Sequence, residues 1–416
     1  MAHLGQRVAA RVAVVGAGYA GMAAAVALTR AAVPVAVYES GPLPGGRARR
    51  VASQGVELDN GQHVLVGAYR TLYGLMREVG VPASALLRMP LEIRYAGGAA
   101  LRRLPLPGRL GLAAGLLAAR GIAWRERWAA MRFLSALRAR RFTLERDATV
   151  AELLARHRQD GAIGHFLWRP LCVSALNTPP ELASARTFLA VLRDTLGAGR
   201  GASDLLLPRV DLSRLFPEPA AEFVRRHGGE VRLKETVRDI GALRAAHDAV
   251  IVAAAPHQLK TLLPQAPEFS YQPIYTCYLQ YGPAARLPLP MLGLAEGIVQ
   301  WVFDRGALLG ERGRFACVIS AQGDHQQMQG DELAARCHAE LAAHLPALGR
   351  PAWSRVIAEK RATITCGVAR RSPPLEPLPG VFLAGDYTDP EYPPTLEAAV
   401  RSGIRAAQDV LRELRP

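Results

Sequence analysis

The sequence predicts an α/β protein in which a discontinuous Rossmann-like domain is interleaved with an α+β domain. The first observation behind this prediction is a strand–helix–strand pattern at residues 12–39, arranged around a glycine-rich turn. A second is a set of later segments with strand-like patterns, at residues 229–233, 249–255 and 381–384, of which 249–255 is a continuous apolar run. The third is that the stretches between them differ, since residues 86–200 show helical periodicity and residues 266–354 mix aromatic strand-like runs with a helical segment.

The chain length and these patterns define expected domain limits. With 416 residues, the chain is long enough for two or three domains. Half of the residues are hydrophobic and 21% are charged, a composition that excludes a disordered or collagen-like chain. We expect the Rossmann-like domain to comprise residues 1–85, 201–265 and 355–416, and the second domain to comprise residues 86–200 and 266–354.

The charge balance is basic but carries little functional information. There are 51 basic and 36 acidic residues, giving a net charge of +15, and only Lys234, Lys260 and Lys360 are lysines. Arginine richness together with alanine richness is typical of GC-rich coding. No zinc-finger, RNA-binding or helix-turn-helix signature is present, so we do not expect nucleic acid as a partner.

The cysteines and the apolar segments indicate the cellular compartment. Five cysteines, an odd number without a C-x-x-C pair, indicate reduced structural thiols in a cytoplasmic protein, with no metal site. The apolar run Val12–Leu28 is interrupted by three glycines, which argues against a signal peptide. No uninterrupted apolar stretch is long enough for a spanning helix, so we expect a soluble or peripheral protein.

The first motif predicts a dinucleotide site. Gly16-x-Gly18-x-x-Gly21 follows the apolar strand Val12–Val15 and opens an alanine-rich helix. These glycines permit a tight turn, an approach of the backbone to a pyrophosphate, and close packing of helix on strand. Glu39 ends the next strand, where its carboxylate can accept hydrogen bonds from ribose hydroxyls.

Three further motifs are weaker alone. Gly45-Gly46-Arg47 permits a close backbone approach with a guanidinium beside it, although a loop with a surface arginine fits equally. His63, in the segment 55–63, fits either a core histidine or a group near a redox ring, and the residues alone favour the core. Gly385-Asp386 precedes a helix predicted over Thr395–Leu411, where an ordinary helix capped by Thr395 is the simpler interpretation.

These four motifs in this order resemble those of the FAD-dependent amine-oxidase and phytoene-desaturase superfamily. The resemblance covers the whole chain and is strongest in residues 11–67 and 380–407. It implies an FAD cofactor and an enzyme, and it assigns Val237 to the adenine. The full set of FAD-binding residues that the resemblance implies is Gly16, Gly18, Tyr19, Ala20, Gly21, Glu39, Gly46, Arg47, Val237, Gly385, Asp386 and Leu396.

A narrower resemblance concerns the substrate. Residues 59–69, 170–179, 183–186 and 191–194 resemble the hydroxysqualene dehydroxylase branch, whose members reduce hydroxysqualene to squalene in bacterial hopanoid pathways. This implies hydride transfer from reduced flavin, an apolar tunnel, and an acid or a water near the flavin. Candidate acids are Asp194, His63, Tyr278 and Asp386.

Other readings stay open at this stage. A polyene desaturase or isomerase, a flavin amine oxidase, and a prenyl-binding protein similar to the GDP-dissociation inhibitors share the architecture. There is no second dinucleotide fingerprint, so the electron donor is left open.

Two further strands are expected from the pattern. Residues 235–240 read as a strand after 229–233, and in the run 275–280 alternate residues are expected on opposite faces.

The segment Arg120–Arg146 raises the question of membrane contact. Trp124, Trp128, Met131 and Leu134 are spaced to share one face of an arginine-rich helix. Such a helix can lie in an anionic lipid interface, which would put the protein on the inner face of the cytoplasmic membrane. A helix packed on the core with a solvated arginine face explains the pattern equally.

Overall fold

The protein is described by a computed structural model over residues 12–106, 110–199 and 201–414. Its strands are β1 (Val12–Val15), β2 (Val35–Glu39), β3 (Arg50–Ser53), β4 (Val56–Asp59), β5 (Leu65–Val66), β6 (Leu86–Met89), β7 (Glu92–Arg94), β8 (Ala100–Arg102), β9 (Leu205–Pro208), β10 (Glu230–Leu233), β11 (Ala249–Val252), β12 (Tyr271–Gln280), β13 (Met291–Gly293), β14 (Trp301–Asp304), β15 (Arg314–Ser320), β16 (Trp353–Ile364) and β17 (Val381–Leu383). Its helices are α1 (Tyr19–Arg30), α2 (Arg70–Glu78), α3 (Leu110–Leu117), α4 (Trp124–Ala139), α5 (Val150–Arg156), α6 (Arg169–Leu176), α7 (Ala185–Leu192), α8 (Leu212–Leu215), α9 (Pro217–Arg226), α10 (Ile240–Ala246), α11 (Pro256–Leu262), α12 (Arg305–Leu309), α13 (Gly330–His344) and α14 (Leu396–Glu413). Short 3₁₀ or π segments lie at Ala83–Ala85, Gly164–Trp168, Arg193–Gly197, Asp324–Gln327 and Pro346–Leu348.

A five-stranded parallel sheet is the centre of the first part of the fold. Its order is β10-β2-β1-β11-β17, and each neighbouring pair is parallel. The strands β1 and β11 are buried along their whole length, as expected for apolar runs covered on both faces. Strands from three distant stretches of the chain therefore share one sheet, and the predicted fold class is confirmed.

Helices α1 and α14 cover one face of this sheet at unusually close range. A Cβ atom placed on Gly403 would lie 2.1 Å from the carbonyl oxygen of Ala20, so only glycine fits there. Helices α1 and α14 are consequently fixed against each other, which places residues 16–21 next to the helix that follows residues 385–395.

A second, antiparallel sheet has the order β13-β14-β15-β12-β16. Strand β12 shows the alternation that the sequence predicts. Tyr275, Cys277 and Leu279 belong to the apolar cluster formed with α13. On the opposite face, Ile274 and Tyr278 belong to a different apolar cluster, which includes residues of β5, β6 and β9.

The helical layer formed by α3 to α7 has its own core around the fully buried Trp168. Asn177, which ends α6 in a left-handed conformation (φ 46°), ties this layer to the second sheet. Its side-chain amide donates to the carbonyl oxygens of Gln272 and Pro273 and to the hydroxyl of Thr363, and its side-chain oxygen accepts from the Ala321 N–H at 2.8 Å.

The structure differs from the sequence-based expectation after β10. Residues 235–240 do not form a strand, because Asp239 accepts a hydrogen bond from the Ala242 N–H and begins helix α10 instead. The domain limit expected at residue 355 falls inside β16, which pairs with β12, so residues 355–364 lie with the second sheet. The other domain limits stay a prediction.

The four residues expected to share one face of α4 differ in burial. Leu134 is buried in the helical core, whereas Trp124 and Trp128 are 55% and 46% exposed and contact each other edge to face. The helix therefore presents its apolar residues on two sides, inward and outward. Among the described residues, no helix is long and apolar enough to cross a membrane.

Candidate functional site

Most of the sequence-predicted residues meet at the carboxyl edge of the parallel sheet. Because all five strands are parallel, the turns that follow them open at the same edge. Gly16 follows β1, Glu39 ends β2, Val237 lies in the turn after β10, and Gly385 follows β17. The backbone of residue 235 donates to the Glu39 carbonyl oxygen, which holds the turn before Val237 against the end of β2.

The glycine turn has the geometry that its spacing predicts. Gly16 has a φ of +103°, and a Cβ there would lie 2.7 Å from the carbonyl oxygen of Ala253. A Cβ on Gly21 would lie 1.9 Å from the carbonyl oxygen of Gly16, so the first turn of α1 packs directly on the strand end. Side chains larger than hydrogen are excluded at both positions.

The N-terminus of α1 is suited to bind an anion. The helix begins after Gly18 without a side-chain cap and has no acidic residue in its first turn. The Tyr19 side chain is turned into the core, where its hydroxyl donates to the Leu212 carbonyl oxygen at 3.0 Å. Only the backbone of Tyr19 and Ala20 is therefore presented at the helix start, where N–H groups and the helix dipole favour negative charge.

Glu39 holds this turn from the side. Its Oε2 atom accepts from the Ala17 N–H at 2.8 Å, and its Oε1 atom accepts from the Gly41 N–H at 2.7 Å. The Ser40 hydroxyl also donates to Oε1, at 3.4 Å, whereas Oε2 keeps a lone pair for a further donor. A carboxylate at this position suits vicinal hydroxyl groups and repels a phosphate.

The Gly45-Gly46-Arg47 loop lies directly on the glycine turn. The Gly45 N–H donates to the Ala17 carbonyl oxygen at 2.8 Å. A Cβ on Gly46, whose φ is +60°, would lie 3.2 Å from the Cα atom of Gly18. Two glycine backbones thus face each other at close range.

Arg47 joins the first and last segments of the sheet domain. Its guanidinium donates to Asp386 Oδ1 at 2.7 Å and to the carbonyl oxygen of Ala362 at 2.7 Å. Burial opposes the charge of Arg47, but the carboxylates of Asp386 and Glu359 outweigh it and raise the pKa of the guanidinium. The cation therefore persists at a half-buried position between the two sheets.

The segment that contains Gly385, Asp386 and Leu396 is anchored by α14. The Gly385 N–H donates to the Ser402 hydroxyl at 2.8 Å, and Leu396 is the first residue of the helix. Thr395 caps α14 through the Ala398 N–H, as the sequence predicts. The next residue, Glu397, is fully buried and accepts from the N–H groups of residues 71 and 72, so it fixes the start of α2.

His63 lies near the charged guanidinium of Arg47. Burial lowers the pKa of His63 from its ordinary value of 6.5, the hydrogen bond to the Gly61 carbonyl oxygen acts in the opposite direction, and the charge of Arg47 lowers the pKa further. A histidine in these surroundings is neutral at pH 7, so it carries no positive charge to give up as an acid.

Sequence reasoning missed two residues of the same cluster. The Asn60 side-chain amide donates to the Arg47 carbonyl oxygen at 2.9 Å and to Glu359 Oε2 at 2.9 Å. Glu359 lies on β16, in register with Ile274 of β12. Nothing in the local sequence marks Glu359, because its contact with residues 47 and 60 arises only when the two sheets meet.

Tyr278 lies apart from this cluster, in a buried network. Its hydroxyl donates to the Asp59 carbonyl oxygen at 2.8 Å, and the guanidinium of Arg305 lies 5.3 Å from its ring centre. Arg305 also pairs with Asp59 Oδ2 at 3.0 Å and with both carboxylate oxygens of Glu311. Burial raises the pKa of Tyr278, so its proton is held firmly.

Asp194 lies at a third place, near the start of α14. The adjacent Arg193 donates to Asp194 Oδ1 at 2.9 Å. The charge of Asp194 contributes to the raised pKa of Tyr392, for which burial is the larger cause, and Arg401 lies over that tyrosine ring at 4.7 Å. The described contacts connect Asp194 to residues of this C-terminal segment and not to Arg47 or His63.

These features fit a flavin dinucleotide. The bare glycine backbones, the uncapped start of α1 and the carboxylate at the end of β2 match the chemistry of a pyrophosphate and a ribose. The Arg47–Asp386 pair and the turn after β17 lie on the same edge, toward the second sheet.

Known proteins show the same organisation. A hydroxysqualene dehydroxylase of Rhodopseudomonas palustris is 30% identical over 96% of this chain and 97% of that protein. One from Zymomonas mobilis is 28% identical over 95% and 97%. The solved cyclohexylamine oxidase of Brevibacterium oxydans superposes with a TM-score of 0.67 at 17% identity, covering 98% and 100% of the two chains. The sequence model for flavin containing amine oxidoreductases matches residues 19–411, and the chain belongs to this family.

Proposed function

We propose that this protein is an FAD-dependent oxidoreductase that removes the hydroxyl group of hydroxysqualene and yields squalene. The observation that carries the proposal is the position of the Arg47–Asp386 pair between two different surfaces. On one side is the glycine-lined edge of the parallel sheet, suited to a dinucleotide. On the other are the half-buried apolar side chains Ile274 and Ile357 of the second sheet, suited to a hydrocarbon. The activity of the similar hydroxysqualene dehydroxylases supports this choice of substrate.

The ligands of FAD are proposed from the same geometry. Gly16, Gly18 and Gly21, with the backbone of Tyr19 and Ala20, bind the pyrophosphate. Glu39 binds the ribose, and the backbone of Val237 meets the adenine. Gly46, Arg47, Gly385, Asp386 and Leu396 hold the part of the cofactor that points toward the second sheet.

The reaction needs a hydride, which carries two electrons, and in addition a proton. Reduced flavin supplies the electrons as a hydride. In the net reaction the C–O bond of the alcohol breaks, a C–H bond forms, and the hydroxyl leaves as water after taking up a proton. Since the carbon becomes cation-like as the C–O bond breaks, a nearby carboxylate stabilises it, and Glu359 is the carboxylate beside Asn60 and Arg47.

The surroundings of the candidate acids indicate which of them can deliver the proton. Asp386 is engaged in the ion pair with Arg47. His63 lies under the influence of the same guanidinium, but as a neutral imidazole it acts by orienting a water rather than as a cationic acid. The hydroxyl of Tyr278 is engaged with a backbone carbonyl oxygen, and Asp194 is next to Arg193. We therefore assign proton delivery to a water held at the polar cluster of His63, Asn60 and Glu359.

The deciding experiment is a single turnover without oxygen. FAD-loaded protein is reduced chemically, mixed with hydroxysqualene in detergent, and the lipids are analysed by mass spectrometry. Squalene should appear in proportion to the flavin reoxidised. Unchanged hydroxysqualene would contradict the proposal. New conjugated double bonds formed by the oxidised enzyme would instead indicate a polyene desaturase.

We also propose that the protein docks on anionic membrane, at the inner face of the cytoplasmic membrane. Trp124 and Trp128 are exposed side by side on α4, and the arginines Arg125 and Arg132 are exposed on the same helix. Indole rings flanked by arginine suit the interface of an anionic bilayer. A substrate that dissolves only in lipid gives such contact a purpose.

Vesicle sedimentation tests this contact. The wild-type protein should sediment with vesicles containing phosphatidylglycerol more than with neutral phosphatidylcholine. Trp124→Ser with Trp128→Ser should reduce binding at least fivefold, about 1 kcal/mol. Leu182→Ser is the matched control, because Leu182 is 44% exposed outside α4. Equal binding by the double variant and the wild type would refute the assignment of this face.

A further inference from the structure

One face of the second sheet carries a row of side chains across four strands. Val318 of β15 is paired with Trp301 of β14 and with Thr276 of β12, and Thr276 is paired with Ile357 of β16. Directly paired residues of an antiparallel sheet point to the same side. Trp301, Val318, Thr276 and Ile357 therefore form one row, about 14 Å long for three strand spacings.

The polar cluster lies at one end of this face and Trp301 at the other. The next row on the same side contains Ile274 and Glu359, which are paired across β12 and β16. Glu359 is bonded to Asn60, beside Arg47. Thr276 and Val318, in the middle of the row, are buried, whereas Ile357 and Trp301 at its ends are half-buried. A chain molecule that extends from the proposed cofactor to Trp301 would therefore follow the half-buried side chains beside the row and not cross its middle.

The indole ring of Trp301 is held in one orientation. Its Nε1–H donates to the Ser174 hydroxyl at 2.9 Å. The ring of Tyr95 lies 5.8 Å from it, and the Tyr95 hydroxyl donates to the Phe166 carbonyl oxygen. Gly293 makes room for both rings, since a Cβ there would lie 2.7 Å from Tyr95 and 3.1 Å from Trp301.

Trp301 lies where the helical layer meets the second sheet. It is half-buried, and it contacts both the helical core and the apolar cluster of the second sheet, as Leu91 does. Its partner Ser174 is exposed. Half-buried apolar side chains continue on both sides of this contact, namely Phe166, Leu171 and Ala175 on the helical side and Ile274 and Ile357 on the sheet.

We propose that Trp301 is a recognition residue for the hydrocarbon chain of the substrate, held in place by Ser174. This inference rests on the proposed function and names the part of the protein that binds the remote end of a long polyene. A flat aromatic ring packs well on a planar alkene, and its position about 14 Å from Ile357 along the row keeps it away from the reacting carbon. Its contribution is therefore binding rather than chemistry.

Kinetics of three variants in the FAD-loaded protein test the proposal. Trp301→Leu should raise KM for hydroxysqualene about tenfold and leave kcat within twofold, as expected for uniform binding. Ser174→Ala, which releases the indole, should raise KM about threefold. The matched control is Trp353→Leu. Trp353 is half-buried on the same face, in register with Gln280, but the guanidinium groups of Arg314 and Arg355 already cover it.

A binding measurement separates this inference from the proposed function. Retention of labelled squalene by the oxidised protein should fall about tenfold in Trp301→Leu and stay unchanged in Trp353→Leu, with FAD affinity equal in all variants. Equal losses in both tryptophan variants, or none in Trp301→Leu, would overturn the role of Trp301. A wild-type protein that binds squalene but leaves hydroxysqualene intact would contradict only the proposed reaction.

Discussion

The carboxylate of Glu39 offers the sharpest test of the proposed cofactor site. In the protein it accepts two short backbone hydrogen bonds, from residues 17 and 41, and its Oε2 atom has a lone pair left for a ribose. A hydrogen bond to a charged group contributes about 1–3 kcal/mol. Glu39→Ala should therefore weaken FAD binding by about 5-fold to 150-fold. Glu39→Gln keeps one oxygen acceptor, so its affinity for FAD should lie between those of the wild type and Glu39→Ala.

The assay is titration of the FAD-free protein with FAD, followed by the quenching of flavin fluorescence. Because Glu39 also holds the glycine turn, the thermal stability of each FAD-free variant is measured first, and titrations are made where all are folded. Glu57→Ala is the control, since Glu57 is a glutamate on β4, outside the parallel sheet, whose side chain is 72% exposed. A dissociation constant for Glu39→Ala within twofold of the wild type would refute the role of Glu39.

The remaining expectations concern other charged groups. Arg305→Met leaves Asp59 buried without its cation and should lower the free energy of unfolding, measured in urea, by about 3–5 kcal/mol. The double variant Arg305→Met with Asp59→Asn should lose less stability than Arg305→Met alone. A greater loss in the double variant would contradict this explanation. Asp386→Asn removes the charge partner of Arg47 and should weaken FAD binding about tenfold, whereas unchanged affinity would exclude the pair from the site. Because His63 has a lowered pKa, only the unfolded chain takes up its proton just below pH 6.5, so stability should fall as the pH drops below that value. His63→Gln should flatten this fall, and identical pH slopes would show that His63 is not held neutral.

The cofactor edge was predictable because its residues act locally. The glycine spacing from Gly16 to Gly21 and the acid at Glu39 lie within one strand–helix–strand unit, where each residue type has few physical alternatives. The fold class and the FAD cofactor followed from this unit and from the resemblance. The strand expected at residues 235–240 failed for a local reason as well, since Asp239 satisfies the first N–H groups of a helix.

Residues brought together by sheet pairing were not predictable. Glu359 meets Asn60 only because β16 pairs with β12 across a shift in register between Gln272 and Ile274. Periodicity also left the orientation of α4 undecided, because it predicts which residues share a face but not which face is buried. Leu134 went into the core while Trp128 stayed exposed.

The segment 170–179, one of those that carry the narrower resemblance, holds other elements of the fold in position. Asn177 uses its amide and its side-chain oxygen to hold β12, β15 and β16 in their relative positions. One turn earlier on the same helix, Ser174 reaches the indole of Trp301. A short stretch of sequence can therefore fix both the sheet that faces the cofactor and the ring that we assign to the hydrocarbon. Substrate choice then depends on the contact between the helical layer and the second sheet. A substitution at Asn177 should therefore change KM for the polyene more than it changes FAD binding.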